Sequence, residues 1–197
     1  MSFKFYFTIH FLYLFININS VFGQSIDISV SKTACSNSIT GYFLNVEVKK
    51  ENILLDNEKV YYDYHEMHRL CDSLKIRIIQ KLFQFVSDTS TCCRKVGLYD
   101  NSEYGGCSAY QPQSKNFSIG IEALFIINRI CYGSVINRVS CYPVLYNAET
   151  MKEVNDTNSL INVMVERYKE WFMMYKDSGK LPDYRFLNDG QIKWWGR

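Results

Sequence analysis

Hydrophobic and polar residues alternate along two short stretches near the start of the chain. The first stretch runs from Ile26 to Val30 and the second from Tyr42 to Val48. A period of two with β-branched and aromatic residues is typical of half-buried strands. The polar residues 36–41 between them supply a turn. The pattern therefore predicts an antiparallel β-hairpin with Cys35 near its connection.

After the hairpin the apolar positions recur at spacings of three or four residues. They extend from Tyr61 to Phe85, and either Asp56 or Asn57 can cap the helix that they predict. A helix of about 30 residues would measure roughly 45 Å, which exceeds the width of a small domain. We therefore expect a break within this helix.

The clearest helical stripe of the chain runs from Leu160 to Tyr175. Its apolar residues follow the 3.6-residue period over more than four turns. A capping residue at 156–158 begins the helix, and Gly179 followed by Pro182 ends it. This stretch predicts a long amphipathic helix.

The chain between the two stripes is less regular. Residues 89–118 are typical of a loop tied down by cysteines, and residues 119–132 predict a short buried helix, with a strand as the alternative. Residues 135–145 are typical of an irregular segment or an edge strand. We expect a helix-dominated α+β fold, in which an N-terminal β-hairpin packs with two long amphipathic helices and the shorter buried helix, crosslinked by disulfides. The alternative is a mainly α fold.

The N-terminus has the features of a secretory signal peptide. Lys4 precedes an uncharged stretch from Phe5 to Ile16, which is too short to span a bilayer. Val21-Phe22-Gly23 follows, with small or branched residues at the positions that signal peptidase recognises. We expect cleavage after Gly23 and a single secreted domain over residues 24–197, which is within the usual domain size. The alternative is an uncleaved membrane anchor.

The charge balance excludes a general affinity for nucleic acid or anionic membranes. The whole chain has a formal net charge of +2, and loss of Lys4 with the signal peptide lowers it to +1. Such a balance gives no long-range attraction to polyanions. We therefore expect no nucleic-acid partner and no membrane association after cleavage.

Seven cysteines follow the signal peptide, and an oxidising compartment favours their pairing as disulfides. They are Cys35, Cys71, Cys92, Cys93, Cys107, Cys131 and Cys141. Because adjacent Cα atoms lie about 3.8 Å apart, Cys92 and Cys93 are too close for a relaxed bridge, and we expect each to pair elsewhere. Seven is an odd number, so one cysteine is either a free thiol or the bridge of a disulfide-linked homodimer. Cys35 is the candidate, because it lies farthest from the others in sequence.

Two sequons mark candidate glycosylation sites. They begin at Asn116 and Asn155, and each predicts a surface position if it is used in a secreted glycoprotein.

The sequence contains few residues suited to marked catalytic mechanisms. Loss of the signal peptide leaves His65 and His68 as the only histidines. They are three residues apart, whereas the metalloprotease helix needs a spacing of four. With Cys71 they could in principle hold zinc, but a disulfide is the expected state of that cysteine. We therefore predict no catalytic residue, no metal and no cofactor. Whether the protein is an enzyme stays open, and the sequence favours a non-enzymatic role.

Two tryptophans near the C-terminus are the candidates for partner binding. Trp194 and Trp195 are adjacent, and tryptophan is enriched in binding hot spots. The alternative is that both pack against the core.

Together these features predict a secreted, non-catalytic binding protein. It would act as a ligand or effector that engages another protein or a cell-surface partner. Two alternatives stay open: a secreted hydrolase that uses unmarked carboxylates, since such a site needs only a pair of acidic side chains, and an extracellular carrier of a small apolar ligand.

Overall fold

A computed structural model describes residues 26–35, 40–50, 53–56, 67–96, 112–131, 142–181 and 190–195. The predicted signal peptide and cleavage site lie outside these residues, as do Cys107, Cys141 and His65. The side chain of His68 also lies outside the description.

The first sheet has three antiparallel strands in the order β1-β2-β3. Strand β1 is Asp27–Ala34, β2 is Tyr42–Lys50 and β3 is Ile53–Asp56. The predicted hairpin is β1–β2, and its register pairs residue 27 with residue 49 and residue 34 with residue 42. Alternate residues of β2 are fully buried, because one face of the sheet covers the core.

The second sheet has the order β5-β4-β6 and is also antiparallel. Strand β4 is Leu145–Asn147, β5 is Lys152–Glu153 and β6 is Ile192–Trp194. Strands β4 and β5 are joined by a tight turn, whereas β6 comes from the far end of the chain. The sheet therefore brings the C-terminal tryptophans next to residues 145–153.

Three α-helices lie in the described part of the chain. Helix α1 is Asp72–Leu82, α2 is Ile119–Cys131 and α3 is Asn158–Tyr175. All residues of α2 except the last are buried, and this helix contacts β2, α1 and α3. A helix that is buried on every side belongs at the centre of a core. Helix α2 is thus the element around which the others pack.

The predicted architecture, a helix-dominated α+β fold on one hairpin, is wrong, and so is its mainly α alternative. The structure is a small α+β fold with two three-stranded sheets. Asp56 does not cap a helix, because it ends β3 and pairs with Glu47. The predicted long helix is described only as a 3₁₀ turn at Met67–Arg69 and as α1. Residues 53–56 form a strand because the backbone groups at the edge of β2 need hydrogen-bond partners, and β3 supplies some of them.

The expected disulfide framework is also different. One disulfide, Cys35–Cys93, is found among the described residues, and it joins the end of the hairpin to the segment before α2. Cys35 is therefore not the odd cysteine. Cys92 is buried as a free thiol, so the prediction that both adjacent cysteines form bridges is wrong. The Cys92 thiol is buried beside the Glu122 carboxylate, and no other described cysteine bonds to it.

None of the described helices combines the length and apolar character that a bilayer span requires.

A buried ion pair joins the first sheet to α2. The Glu122 carboxylate is fully buried and accepts hydrogen bonds from Arg94 Nη1 at 3.1 Å and from the Leu44 N–H at 2.8 Å. The guanidinium of Arg94 also lies over the Phe43 ring, 4.9 Å from its centroid. Glu122 therefore satisfies a backbone donor of β2 and a nearly buried cation with one side chain.

The start of α2 packs very closely against the preceding turn. A Cβ atom added at Gly120 would lie 2.5 Å from the Val86 carbonyl oxygen. The N–H of Gly120 donates to the Asp88 carbonyl at 2.9 Å, which fixes this approach. Only glycine fits here without a shift of the backbone.

We expect Gly120→Ala to destabilise the fold by about 2–3 kcal/mol, in the range of an overpacked core. Gly179→Ala is the control, because no described residue lies within 4 Å of its added Cβ, and its φ of +67° is the feature that opposes the change. That control should lose about 1 kcal/mol, the penalty for a left-handed residue with a side chain. Free energies of unfolding in urea test this, and an equal loss in both variants would contradict the close packing.

Glu122→Gln should destabilise the fold by about 3–5 kcal/mol, because it removes one charge of a buried ion pair and leaves the Arg94 cation beside a neutral side chain. Glu166→Gln is the matched control. Glu166 pairs with Lys169 at 2.8 Å on the surface of α3, and such exposed pairs contribute at most about 1 kcal/mol. Urea unfolding of both variants distinguishes the two pairs. Similar losses would show that Glu122 does not act as a buried counter-ion.

Candidate functional site

An open pocket of about 630 Å³ lies beside the second sheet. Three segments form its walls: the loop before α2, the β4–β5 turn with the residues that follow it, and the residue after β6. Its lining residues are Gln113, Ser114, Met151, Lys152, Glu153, Asp156 and Trp195. Its volume lies within the range of small-molecule and side-chain pockets.

Glu153 joins two walls of the pocket. One carboxylate oxygen accepts a hydrogen bond from the Gln113 N–H and the other from the Ser114 N–H, both at 2.6 Å. Two successive backbone donors of this kind form an anion-binding site, and here the protein fills it with its own side chain. The carboxylate of Glu153 therefore has a structural role.

Trp195 is half-buried at the pocket and is held in place from two sides. Its backbone N–H donates to the Val144 carbonyl at 2.8 Å, which extends the β4–β6 pairing by one residue. Its ring meets the Tyr146 ring edge-on, with centroids 5.4 Å apart and planes at 82°. This arrangement fixes the orientation of the indole without burying it completely.

Met151 has the one left-handed conformation of a non-glycine residue in the described chain, with φ of 56°. A side chain in this region of backbone space costs on the order of 1–2 kcal/mol. The residue is also 62% exposed, although it is large and apolar. The turn therefore holds a thioether side chain in solvent at the pocket, against the preference of both backbone and side chain.

The pocket contains two acidic side chains and one basic side chain. Asp156 and Lys152 are exposed, and Glu153 is bound to the backbone as described. Asp156 lies immediately before Thr157, the N-cap residue of α3, whose side chain makes no capping hydrogen bond. The formal charge of the lining is thus negative by one unit.

The two candidate tryptophans have different environments. Trp194 is 2% exposed, and its Nε1–H donates to the Tyr168 hydroxyl at 2.8 Å. The Tyr168 hydroxyl donates in turn to the Asn128 side-chain oxygen of α2. Trp194 is therefore a core residue, and its prediction as a partner-binding residue is wrong because a partner has no access to it. Trp195 lies at the pocket.

The two sequons also lie in different environments. Asn116 is exposed. Asn155 is 7% exposed; its side-chain oxygen accepts from the Leu145 N–H at 2.9 Å, and its Nδ2 donates to the Pro143 carbonyl at 3.1 Å. A glycan on Nδ2 would have to occupy the space of these contacts, so this fold has room for a glycan at Asn116 and not at Asn155.

The three free cysteines among the described residues differ in access. Cys71 is exposed, and hydrogen bonds from Ser73 and the Leu74 N–H lower the pKa of its thiol. Burial raises the pKa of the Cys92 thiol, and the neighbouring Glu122 carboxylate adds to this effect. Burial raises the pKa of Cys131 to about 12. Of these three, Cys71 is the most exposed thiol.

A second polar cluster lies between β1 and the segment before α2. Lys32 Nζ is 2.6 Å from Asp88 Oδ2 and 2.6 Å from Ser90 Oγ, and it lies over the Tyr42 ring at 4.2 Å. Desolvation raises the pKa of Asp88, but hydrogen bonds from Lys32 and Ser90 outweigh it, so the net pKa is lowered. This cluster therefore joins β1 to the segment before α2 through one ion pair and one ring contact.

The described residues contain no group of three His, Cys, Asp or Glu side chains that could hold a metal ion. The predicted zinc alternative included His65, which lies outside the description, so the structure does not test it.

Sequence reasoning identified one residue of the pocket, Trp195, and missed the rest. The other lining residues come from a loop and a tight turn, neither of which has a periodic pattern. The exposed Met151 had no sequence signal, because a methionine in a turn does not reveal its backbone conformation. Only the pairing of β6 with β4 brings these segments together.

When the chain is expressed through a secretory pathway, we expect one N-linked glycan at most, and we expect it at Asn116. Asn116→Gln should remove the mass that peptide N-glycosidase releases, whereas Asn155→Gln should leave it unchanged. Intact mass spectrometry before and after treatment with peptide N-glycosidase measures the glycan mass of both variants. A glycan on a peptide that contains Asn155 would contradict the buried position of this side chain.

Comparison with known proteins does not assign a function to the pocket. The chain matches no protein-family model, no curated protein and no solved structure. Its function is therefore inferred from the residues of the pocket themselves.

Proposed function

We propose that this chain is a secreted, non-catalytic binding protein that engages another protein through the pocket beside the second sheet. The observation that carries the proposal is the pair of apolar side chains at the pocket, Trp195 and Met151. The first is fixed by hydrogen bonding and ring packing, and the second is held in solvent by a strained turn. Backbone strain of this kind is concentrated at functional sites.

Export is part of this proposal, and two features support it. The Cys35–Cys93 disulfide is typical of proteins that fold in an oxidising compartment. The N-terminal residues have the order of charge, apolar stretch and small residues that signal peptidase recognises.

The pocket is less suited to the two alternative functions. A two-carboxylate hydrolase needs acidic groups that can exchange protons with a substrate. Both oxygens of Glu153 are bound to backbone N–H groups, which leaves Asp156 as the other acid of the lining. A carrier of an apolar ligand needs an enclosed apolar cavity, whereas this pocket is open and has charged walls.

Trp195→Ala and Met151→Ala should each weaken partner binding by about ten-fold or more, the loss typical of a hot-spot residue. A panel of purified extracellular and cell-surface proteins, immobilised for interferometry, identifies the partner and measures the affinity. The matched control is Met174→Ala, which removes a methionine of similar exposure from the surface of α3.

The control variant should retain the affinity of the unchanged protein. If Met174→Ala weakens binding while Trp195→Ala does not, the contact surface lies on α3 and the proposal is wrong. Circular dichroism of each variant confirms that any loss is not caused by unfolding.

A further inference from the structure

We propose that the pocket accepts a basic side chain of its partner, arginine in preference to lysine. This inference rests on the proposed function, because it names the chemical group that the partner would insert. Three observations support it: the apolar surfaces of the pocket, its charge, and the way in which the same chain holds its own cations.

The apolar lining suits the stem of a long basic side chain. Lysine and arginine bury their methylene groups along apolar surface and keep the charged end in a polar environment. Trp195 and Met151 provide such surface at the same pocket. An indole ring also attracts a cation electrostatically, and a planar guanidinium stacks on it more closely than an ammonium group does.

The polar lining suits the charged end of that side chain. The lining has two acidic side chains, Asp156 and Glu153, and one basic side chain, Lys152. Because Glu153 is bound to the backbone, the exposed Asp156 is the carboxylate available to a ligand. A carboxylate can accept two parallel hydrogen bonds from arginine, a geometry that lysine does not reproduce.

The chain already holds two of its own cations with a ring and a carboxylate. Arg94 lies over the Phe43 ring and pairs with Glu122. Lys32 lies over the Tyr42 ring and pairs with Asp88. The pocket brings together the same two kinds of group, a ring and carboxylates, at a position that is open to a partner.

The volume of the pocket exceeds that of one side chain. A pocket of about 630 Å³ also accepts residues on either side of the arginine. The glutamine amide of Gln113 and the hydroxyl of Ser114 can bond to the backbone of such residues. A short peptide is therefore the appropriate probe, rather than free arginine.

The test uses acetylated, amidated Gly-Arg-Gly and its citrulline, lysine and glutamate counterparts with the full secreted protein. Citrulline has nearly the shape of arginine without its charge. The readout is the indole N–H signal of Trp195 in a spectrum of protein with ¹⁵N-labelled tryptophan, assigned with Trp195→Phe. We expect the arginine peptide to move this signal, with affinity about two- to five-fold higher than for citrulline, the size of an exposed cation–π or ion-pair contact.

Asp156→Asn should weaken binding of the arginine peptide by a similar factor. Added salt should reduce the difference in affinity between the arginine and citrulline peptides. Glu166→Gln is the matched control, because it removes the same charge from the exposed surface of α3 and should have no effect. The inference is wrong if the citrulline, lysine or glutamate peptide binds as well as the arginine peptide, if Asp156→Asn has no effect on binding, or if no peptide moves the signal. It is also wrong if the neutral sugar chitotriose moves the signal and the peptides do not.

The two proposals can fail separately. If Trp195→Ala abolishes partner binding but the arginine peptide does not bind, only the inferred basic side chain is rejected. If Trp195→Ala leaves partner binding intact, the proposed function is rejected whatever the peptides do.

Discussion

The Glu122 carboxylate connects the first sheet to the central helix, and the arrangement of the surrounding segments depends on it. Strand β2 is paired with β3 only from Glu47 onward, so the Leu44 N–H on the same edge needs another acceptor. Glu122 supplies that acceptor from α2 and also neutralises Arg94. Because Arg94 follows Cys93 directly, the ion pair and the Cys35–Cys93 disulfide fix the same short segment against the sheet.

The second sheet is attached by side chains that reach distant backbone groups. Asn155 binds the backbone at Leu145 and Pro143, and Glu153 binds it at Gln113 and Ser114. Three strands of two or three residues each would be marginal by themselves. Their stability therefore comes from these contacts and from the burial of Trp194, and the same contacts hold the walls of the pocket in a fixed geometry.

The parts of the fold that could be predicted are those with a local pattern. The β1–β2 hairpin and helix α3 follow periodic stretches, and α2 is long and apolar enough to be recognised. Strands β3 to β6 have two to four residues each, too few to show a period, and β6 pairs with a strand that lies far away in sequence. A period of two implies that Trp194 and Trp195 point in opposite directions, but which of them is buried depends on the packing of α3. For the same reason the sequence revealed one pocket residue and not the others.

The bonding within the pocket determines which groups a partner can use. The backbone donors at Gln113 and Ser114 are occupied by Glu153, and the backbone N–H of Trp195 is occupied by Val144. What faces a partner is therefore an indole ring, a thioether, an exposed carboxylate and an exposed ammonium group. The basic side chain that we propose as the ligand has an apolar stem and a charged donor at its end, which suits the indole, the thioether and the carboxylate that these internal bonds leave on the open side of the pocket.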